Sequence, residues 1–225
     1  MKNSYQIDWG IFSLIEFIGA NSKQIGKKFK SALDIGSGEG LQSEILKKAG
    51  LEVIQIDKYS EKAEIKEDFM DYKFQNIFDI IFCSHVIEHQ RNVGQFLDKI
   101  FDLLSDDGLL LLSAPKHIPE QLIEGHLNCF YTSYFIQQLI HAGFDLKRGK
   151  YLSCYLIENV AIVPKAKNYK MSERYQNGFS WETYHKERSP IKLKNSEISN
   201  GIWAFENCEI ISTKDGKKID FMFPK

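Results

Sequence analysis

The chain has 225 residues, of which 43% are hydrophobic and 13% aromatic. This length and composition allow one substantial core, so one domain with an appendage fits better than two equal domains. The 29 basic and 30 acidic residues leave a net charge of −1. Because a protein that collects nucleic-acid phosphates carries a basic surface, this balance counts against nucleic acid as the partner.

Cysteine usage and the N-terminal segment predict where the protein acts. The first apolar stretch is interrupted by Asp8 and Glu16, and no apolar run reaches the roughly 18 residues that span a membrane. The cysteines form no CxxC pair, which is typical of reduced thiols rather than of a disulfide framework or a zinc clip. They are Cys83, Cys129, Cys154 and Cys208. We therefore predict a cytoplasmic protein with no membrane segment.

Hydrophobic periodicity predicts an alternation of strands and helices. A helix is predicted over 11–18, and a polar turn at 106–108. The predicted strands cover 31–36, 51–57, 63–69, 78–84 and 109–115, and the other predicted helices cover 41–49, 93–104 and 132–144. Two strand-like runs after Phe144 have no helix between them, which predicts a hairpin at one edge of the sheet. This alternation indicates an α/β fold, with an open, mostly parallel sheet and helices on both faces.

The stretch "SALDIGSGEG" places a glycine-rich loop directly after the first predicted strand. Its pattern, with Asp34 two residues before Gly36, differs from the nicotinamide fingerprint G-x-G-x-x-G. A carboxylate at this place would repel a pyrophosphate but would suit an amino group. Asp57 ends the second predicted strand, where a carboxylate can accept hydrogen bonds from both ribose hydroxyls. An amino group and a ribose without a diphosphate describe S-adenosylmethionine.

The stretch from about 31 to 163 resembles a class I S-adenosylmethionine-dependent methyltransferase of the small-molecule and ubiquinone-biosynthesis-like branch. The motifs that carry the resemblance are "LDIGSGEG", "VIQIDKYS", "IKEDFMDYKF", "FDIIFCSHVIEHQRN", "LLSDDGLLLLSAP" and "GHLNCFYTSYFIQQLIHAGF". The resemblance implies a Rossmann-like sheet of seven strands, the last of them antiparallel. It also implies an N-terminal lid helix in 1–30 and a cofactor-binding core in 31–165. Residues 166–225 match no family pattern and are a β-rich extension, a candidate substrate cap.

The resemblance assigns the cofactor contacts to residues at the carboxyl ends of the first four strands. They are Asp34 at the methionine amino group, the loop Gly36, Ser37, Gly38 and Gly40 around the methionine, Asp57 at the ribose, Lys58 beside the adenine, Asp68 at the adenine amino group, Phe69 against the ring, and Ser84 and His85 at the transferred methyl. Two ordinary alternatives remain, namely that the loop is a plain tight turn and that Asp68 is a solvated acid.

Histidines supply the candidate catalytic bases, and the first candidates are His85 and His126. In "HVIEH", His85, Glu88 and His89 have the spacing of one helical face, and His126 could complete a metal site. The pattern resembles the metal motif of small-RNA 2′-O-methyltransferases, which has glutamate where this chain has His85. We therefore predict no metal and a structural hydrogen bond for His89. His117 is a further candidate to face the substrate.

The sequence predicts an enzyme that methylates an oxygen or nitrogen of a small metabolite or of a surface-glycan precursor. An excess of lysine and arginine in 166–194 indicates an anionic or sugar-linked acceptor, although a solvated charged surface explains it equally well. Two alternatives remain, a metal-assisted RNA 2′-O-methyltransferase and a non-catalytic protein of the same fold that binds a partner. The sequence does not indicate an oligomeric state.

Overall fold

The structure is a computed structural model that describes residues 9–116, 122–153, 158–167 and 169, and the backbone of four short strands beyond them. Six strands form the main sheet: β1 Ser31–Ile35, β2 Glu52–Ile56, β3 Phe78–Ser84, β4 Leu104–Pro115, β5 Lys150–Ser153 and β6 Glu158–Pro164. The helices are α1 Ile11–Asn21, α2 Leu41–Ala49, α3 Val93–Leu103 and α4 Thr132–His141, and a 3₁₀ turn covers Ile87–His89.

The sheet is open, mixed and mostly parallel, with the strand order β2-β1-β3-β4-β6-β5. The pairs β1–β2, β1–β3 and β3–β4 are parallel, whereas β6 runs antiparallel to both β4 and β5. The strand order reverses between β1 and β3. The loops that follow these two strands therefore diverge and leave a crevice between them. The α/β prediction and the predicted antiparallel edge hairpin are confirmed.

Helices cover both faces of the sheet because its central strands are apolar in nearly every position. On one face α3 and α4 bury Phe96 and Phe135 against Leu33 and other sheet residues. On the other face α1 and α2 bury Leu14 and Leu46 against the alternate residues of the strands, those that point away from α3 and α4. Strand residues that are neighbours in sequence therefore enter opposite cores, as the pleat of a strand requires.

The described sheet has six strands and not the seven that we predicted. The missing strand is 63–69, which contributes one isolated parallel bridge between Ile56 and Ile65. The amide of Ile65 donates to the carbonyl of Gln55, and the amide of Asp57 donates to the carbonyl of Ile65. After Ile65 the charged run "KED" does not suit a buried ladder, and the chain turns away from β2 toward the crevice.

The predicted turn at 106–108 is also wrong, because these residues belong to β4. The register of β4 against β3 shifts after the pair Phe78–Leu104, so the polar residues form an irregularity within the strand. No described helix has the length and apolar character needed to cross a membrane. Cys83 and Cys129, the cysteines that the structure describes, are free thiols.

The predicted extension 166–225 lies mostly outside the described residues. Four short strands are described there by their backbone, and they are β7 Ile191–Lys192, β8 Ala204–Phe205, β9 Ile211–Lys214 and β10 Lys217–Asp220. The pairs β7–β8 and β9–β10 are antiparallel. His117 lies outside the described residues as well. The role of the extension as a substrate cap stays a prediction.

Candidate active site

A cleft of about 580 Å³ opens at the carboxyl ends of β1, β2 and β3. This size is ordinary for a pocket that holds a small molecule or cofactor. Of the residues predicted to bind the cofactor, those that line it are Gly36, Asp57, Lys58, Asp68, Phe69 and His85. Residues that were not predicted also line it, among them Tyr59, Met70, Val86, Arg91, Asn92 and Gln95.

The glycine loop joins β1 to α2, and its three glycines, Gly36, Gly38 and Gly40, all have a positive φ. Gly36 has a φ of 72°, and a Cβ built there would lie 2.2 Å from Cγ2 of Val86. Gly38 has a φ of 51°, and a Cβ there would meet nothing within 4 Å. The first glycine therefore permits close packing inside the loop, and the second leaves open space beside it. Gly40 is the residue that precedes α2.

Backbone amides of the loop are bonded within the protein. The amides of Gly36 and Ser37 donate to the carbonyl of Ile56, and the amide of Gly38 donates to Oδ2 of Asp57 at 2.9 Å. The hydroxyl of Ser37 is buried and has no hydrogen-bond partner among the described residues. A ligand beside this loop would therefore meet its Cα atoms and carbonyl groups, and a polar ligand atom would satisfy the Ser37 hydroxyl.

Asp57 organises the cleft at the end of β2. Its Oδ1 accepts from the amides of Tyr59 and Ser60 at 2.7 and 2.8 Å, while its Oδ2 accepts from Gly38 across the crevice. Three backbone donors hold the carboxylate in one orientation. The carboxylate that we predicted to bind ribose is thus already fixed at the wall of the cleft.

Lys58 and Asp68 form an ion pair at the rim of the cleft, with 3.1 Å between Nζ and Oδ2. The hydrogen bond from Lys58 to Asp68 raises the pKa of the lysine. Burial alone would raise the pKa of Asp68, but the Met70 amide and Lys58 hold it below its ordinary value. Asp68 therefore stays ionised and can accept a hydrogen bond from a ligand amino group.

Phe69, next to this ion pair, packs its ring against Phe74 and Phe96 and is 7% exposed. The ammonium of Lys99 donates to the carbonyls of Phe69, Met70 and Tyr72. These three residues lie at the end of, and directly after, the segment 63–69 that was predicted as the third strand. Lys99 thereby ties the segment that carries Asp68 to α3, and its partial burial lowers the pKa of its own amine.

Asp34 lies beneath the loop and does not line the cleft. Its side chain is 1% exposed and accepts a hydrogen bond from the hydroxyl of Ser43 in α2. Burial raises the pKa of Asp34 to about 7, against the opposing effect of the Ser43 hydrogen bond. The structure therefore gives Asp34 a contact that fixes α2 below the loop, and its predicted approach to a ligand amino group stays a prediction.

His85 lies at the inner end of the cleft and has the only positive φ, 54°, among the described residues other than glycine. Its amide donates to the carbonyl of Ser113, which continues the β3–β4 ladder. Its ring Nε2 lies 3.1 Å from Oε2 of Glu158, and the ring of Trp9 covers it at 4.3 Å between centroids. A strained backbone at such a residue points to a functional constraint on its side chain.

Ser84, the last residue of β3, does not line the cleft. Its hydroxyl accepts a hydrogen bond from the hydroxyl of Ser113 at 2.9 Å, and Gly10 packs directly over it. A Cβ at Gly10 would lie 2.6 Å from the Ser84 hydroxyl oxygen. The contact of Ser84 with a transferred methyl group also stays a prediction.

His126 is placed beside His89 and not at the lining of the cleft. Donor atoms of Glu88, His89 and His126 lie within 4.8 Å of one another, and the two imidazole centroids are 4.9 Å apart. His85 is directed instead to Glu158. Three of the four candidate metal ligands therefore converge, and His85 adjoins them through Nδ1, 3.6 Å from Oε1 of Glu88, without joining the group.

The three residues of the first group fit a divalent ion by their chemistry. One carboxylate and two imidazoles suit zinc or another first-row transition ion. Oε2 of Glu88 is buried without a partner among the described residues, and burial raises the pKa of this carboxyl. A hydrogen bond of 2.8 Å between Nδ1 of His89 and the Gly125 carbonyl leaves Nε2 for a ligand role.

Sequence reasoning missed Glu158, which is 0% exposed and lies 73 residues after His85. An acidic residue at the start of the apolar run "ENVAIVP" was the available signal, because an ionisable group in a buried strand requires a partner. Gly10 was also missed as a neighbour of the site, whereas Trp9 belongs to the segment that we predicted as a lid. The contact between Glu158 and His85 joins residues that are far apart in sequence, so it depends on the register of β6 against β4.

The sheet is that of a Rossmann-like α/β protein, and its cleft lies at the switch point of the strand order, where such folds bind their ligands. The cleft fits S-adenosylmethionine, since it combines a fixed carboxylate, a glycine loop with open space and an ionised rim acid. The chain belongs to the methyltransferase domain family, whose model matches residues 8–147, more than half of its length. Its family and its fold are those of the class I S-adenosylmethionine-dependent methyltransferases.

Similar proteins agree with this family. A ubiquinone biosynthesis O-methyltransferase of Nitrobacter winogradskyi is 33% identical over 97 residues, which are 36% of this chain and 37% of the relative. The enzyme of the same name from Bradyrhizobium diazoefficiens is 25% identical over 146 residues, 58% of each chain. This chain thus spans about half the length of the curated relatives that it matches. The predicted resemblance to class I S-adenosylmethionine-dependent methyltransferases is confirmed.

Solved structures of low sequence identity share the fold. A 1,6-didemethyltoxoflavin-N1-methyltransferase of Burkholderia thailandensis, which has S-adenosylhomocysteine bound, matches with a TM-score of 0.56 and 14% identity. The match covers 69% of this chain and 79% of that one. A sugar N-methyltransferase from a Streptoalloteichus species matches with a TM-score of 0.52 and 12% identity, over 69% and 87% of the two chains.

Proposed function

We propose that this chain transfers the methyl group of S-adenosylmethionine to an oxygen or nitrogen of a small metabolite or of a surface-glycan precursor. The observation that carries the proposal is the position of His85, which lines the same cleft as Gly36 of the glycine loop and Asp57. The O-methyltransferase relatives support an oxygen acceptor, and the sugar N-methyltransferase neighbour supports an amino-sugar acceptor. We also propose a cytoplasmic location.

S-adenosylmethionine supplies an electrophilic methyl carbon when bound, so the protein has to align the partners and exclude water. Asp57 accepts from the ribose hydroxyls, Asp68 accepts from the adenine amino group, and the glycine loop holds the methionine part. His85 accepts the proton of the acceptor hydroxyl as the new bond from oxygen to carbon forms and the bond from carbon to sulfur breaks. S-adenosylhomocysteine and an imidazolium remain, and the imidazolium loses its proton to water.

Contacts of the N-terminal segment support its proposed role as a lid over this site. The Trp9 ring covers His85, and the Gly10 amide donates to Oε2 of Glu158 at 3.1 Å. Two contacts thus connect the segment before α1 to the inner end of the cleft. We propose that 1–30 shields the reacting groups from water and that 166–225 contributes to acceptor binding.

Calorimetry and an acceptor screen test the proposal together. Titration with S-adenosylmethionine is expected to give micromolar binding, whereas NAD is expected to show none because the loop lacks the nicotinamide fingerprint. A panel of catechols, amino sugars and sugar nucleotides, incubated with radiolabelled methyl donor, should yield at least one labelled small product. Binding without any product from the panel would favour the non-catalytic alternative. If RNA incubated in the same way became labelled, the RNA methyltransferase would be favoured.

A second candidate function is metal-assisted methylation of an oxygen. The observation that favours it is the convergence of Glu88, His89 and His126. These residues would hold a divalent ion, and such an ion would lower the pKa of an acceptor hydroxyl and orient it. His85 would then stand beside the metal group without belonging to it. An RNA acceptor has no corresponding support, since the net charge is −1.

Metal removal separates the two candidates. After dialysis against EDTA, turnover of the acceptor found in the screen is expected to remain unchanged if His85 is the base. The His126→Ala variant is expected to behave in the same way. Loss of turnover that zinc or manganese restores, together with loss of that restoration in His126→Ala, would establish the metal-assisted function instead. Metal content measured by mass spectrometry gives an independent reading of the same site.

A further inference from the structure

Glu158 is a buried carboxylate in a strand that is otherwise apolar or neutral. It begins β6, where every residue is buried, and its side chain is 0% exposed. Oε2 lies 3.1 Å from Nε2 of His85 and accepts from the Gly10 amide at 3.1 Å. Oε1 has no hydrogen-bond partner among the described residues.

A carboxylate in this position is costly unless it has a specific partner. Burial of an ionised carboxyl group destabilises a fold strongly when the charge is unpaired. No lysine or arginine is paired with Glu158 in the part of the chain that the structure describes, and His85 is its ionisable neighbour. His85 is therefore the group that can stabilise the buried carboxylate of Glu158.

The two ring nitrogens of His85 have different surroundings. Nε2 is within hydrogen-bond distance of Glu158, whereas Nδ1 lies 3.6 Å from Oε1 of Glu88, beyond a hydrogen bond. A carboxylate can only accept, so a hydrogen bond with Glu158 requires a proton on Nε2. In the neutral ring Nδ1 then carries the lone pair. The partner of one nitrogen thus decides the chemistry of the other.

We propose that Glu158 is a positioning residue that holds His85 in the tautomer with the proton on Nε2 and the lone pair on Nδ1. The inference rests on the proposed function, in which His85 accepts a proton, and it names the atom that does so. Glu158 also fixes the orientation of the ring against the strained backbone of His85. The same carboxylate accepts from the Gly10 amide, so Glu158 contacts both the N-terminal segment and the His85 ring.

Nuclear magnetic resonance tests the tautomer without any acceptor. Ring nitrogen shifts of ¹⁵N-histidine-labelled protein distinguish the two neutral tautomers from the imidazolium, and the His85→Asn variant assigns the His85 signals. We expect the Nε2–H pattern for His85 in the wild-type protein at neutral pH. A doubly protonated ring or the Nδ1–H pattern would overturn the inference, although the methyltransferase assignment would stand.

Glu158→Gln is the matching variant, because glutamine keeps the size of the side chain but can also donate to the ring. We expect the His85 tautomer to become mixed in Glu158→Gln and to stay unchanged in Glu52→Gln, which alters an exposed glutamate of β2. We also expect turnover of the acceptor to fall by about 10- to 100-fold while binding of S-adenosylmethionine is kept. An unchanged tautomer in Glu158→Gln would overturn the inference.

The double variant separates this inference from the proposed function. If Glu158 acts through His85, adding Glu158→Gln to His85→Asn should cause no further loss of turnover. Losses that multiply would show that Glu158 acts elsewhere, for instance only by anchoring Gly10, and would overturn the inference alone. Full turnover in His85→Asn would overturn the role of His85 itself, and the inference would fall with it.

Discussion

Replacing Asp57 with alanine is expected to weaken the binding of S-adenosylmethionine by about 100-fold, because the two hydrogen bonds that we propose between this carboxylate and the ribose hydroxyls would be lost. The same change removes the acceptor for the amides of Gly38, Tyr59 and Ser60. The glycine loop then loses one of its links to the end of β2, while the Gly36 and Ser37 amides keep the Ile56 carbonyl as their acceptor. Isothermal titration calorimetry of the variant measures the effect directly.

Two further variants make the Asp57 result specific. Asp106→Ala changes an exposed aspartate in β4, which does not line the cleft, and should leave the affinity unchanged. Asp57→Asn keeps one acceptor oxygen and should fall between the wild-type protein and Asp57→Ala. Wild-type affinity in Asp57→Ala would mean that the ribose does not bind at the end of β2. A melting curve shows whether the variant remains folded.

Replacing His85 with asparagine is expected to lower kcat by about 100- to 10,000-fold, the range that general-base catalysis contributes. Asparagine is the appropriate substitution because it tolerates a left-handed backbone better than alanine does, and His85 has a φ of 54°. Binding of S-adenosylmethionine should change little, since we propose that Asp57 and the glycine loop make the main contacts with it. The measurement is turnover of the acceptor that the screen identifies.

The control for this variant is His141→Ala. His141 ends α4, whose C-terminus lies at the opposite end of the sheet from the cleft, as the antiparallel packing of crossover helices requires. Wild-type turnover is expected in the control. If His85→Asn is equally active, the base is another group, and His126→Ala becomes the next variant to compare. Partial rescue of His85→Asn by added imidazole would further support proton transfer at this position.

Much of the fold was predictable because local signals and global packing agree in the central sheet. The run "FDIIFCS" predicts a strand over 78–84, and β3 has these bounds. Continuous apolar runs of this kind arise where both faces of a strand are covered. The glycine loop and Asp57 were predictable for a related reason, since residues that directly follow parallel strands meet at one end of the sheet.

Other parts depended on contacts that no local pattern reveals. The strand expected over 63–69 fails because charged residues follow Ile65 and the chain leaves the sheet. Asp34 has the right place in the motif, yet the packing of α2 decides that its carboxyl group faces Ser43. The pairing of His85 with Glu158 depends on the register of an antiparallel strand 73 residues away. Periodicity predicts a face of a strand but not such a register.

The missing third strand has a consequence for self-association. In the described sheet β2 is a terminal strand, and exposed strands of this kind are templates on which other chains can add and aggregate. Ile65 occupies the outer backbone groups of Gln55 and Asp57, and Lys66 and Glu67 continue outward as exposed charges. The segment that brings Asp68 to the rim of the cleft thus also makes the carboxyl end of β2 a poor place for a foreign strand to bind.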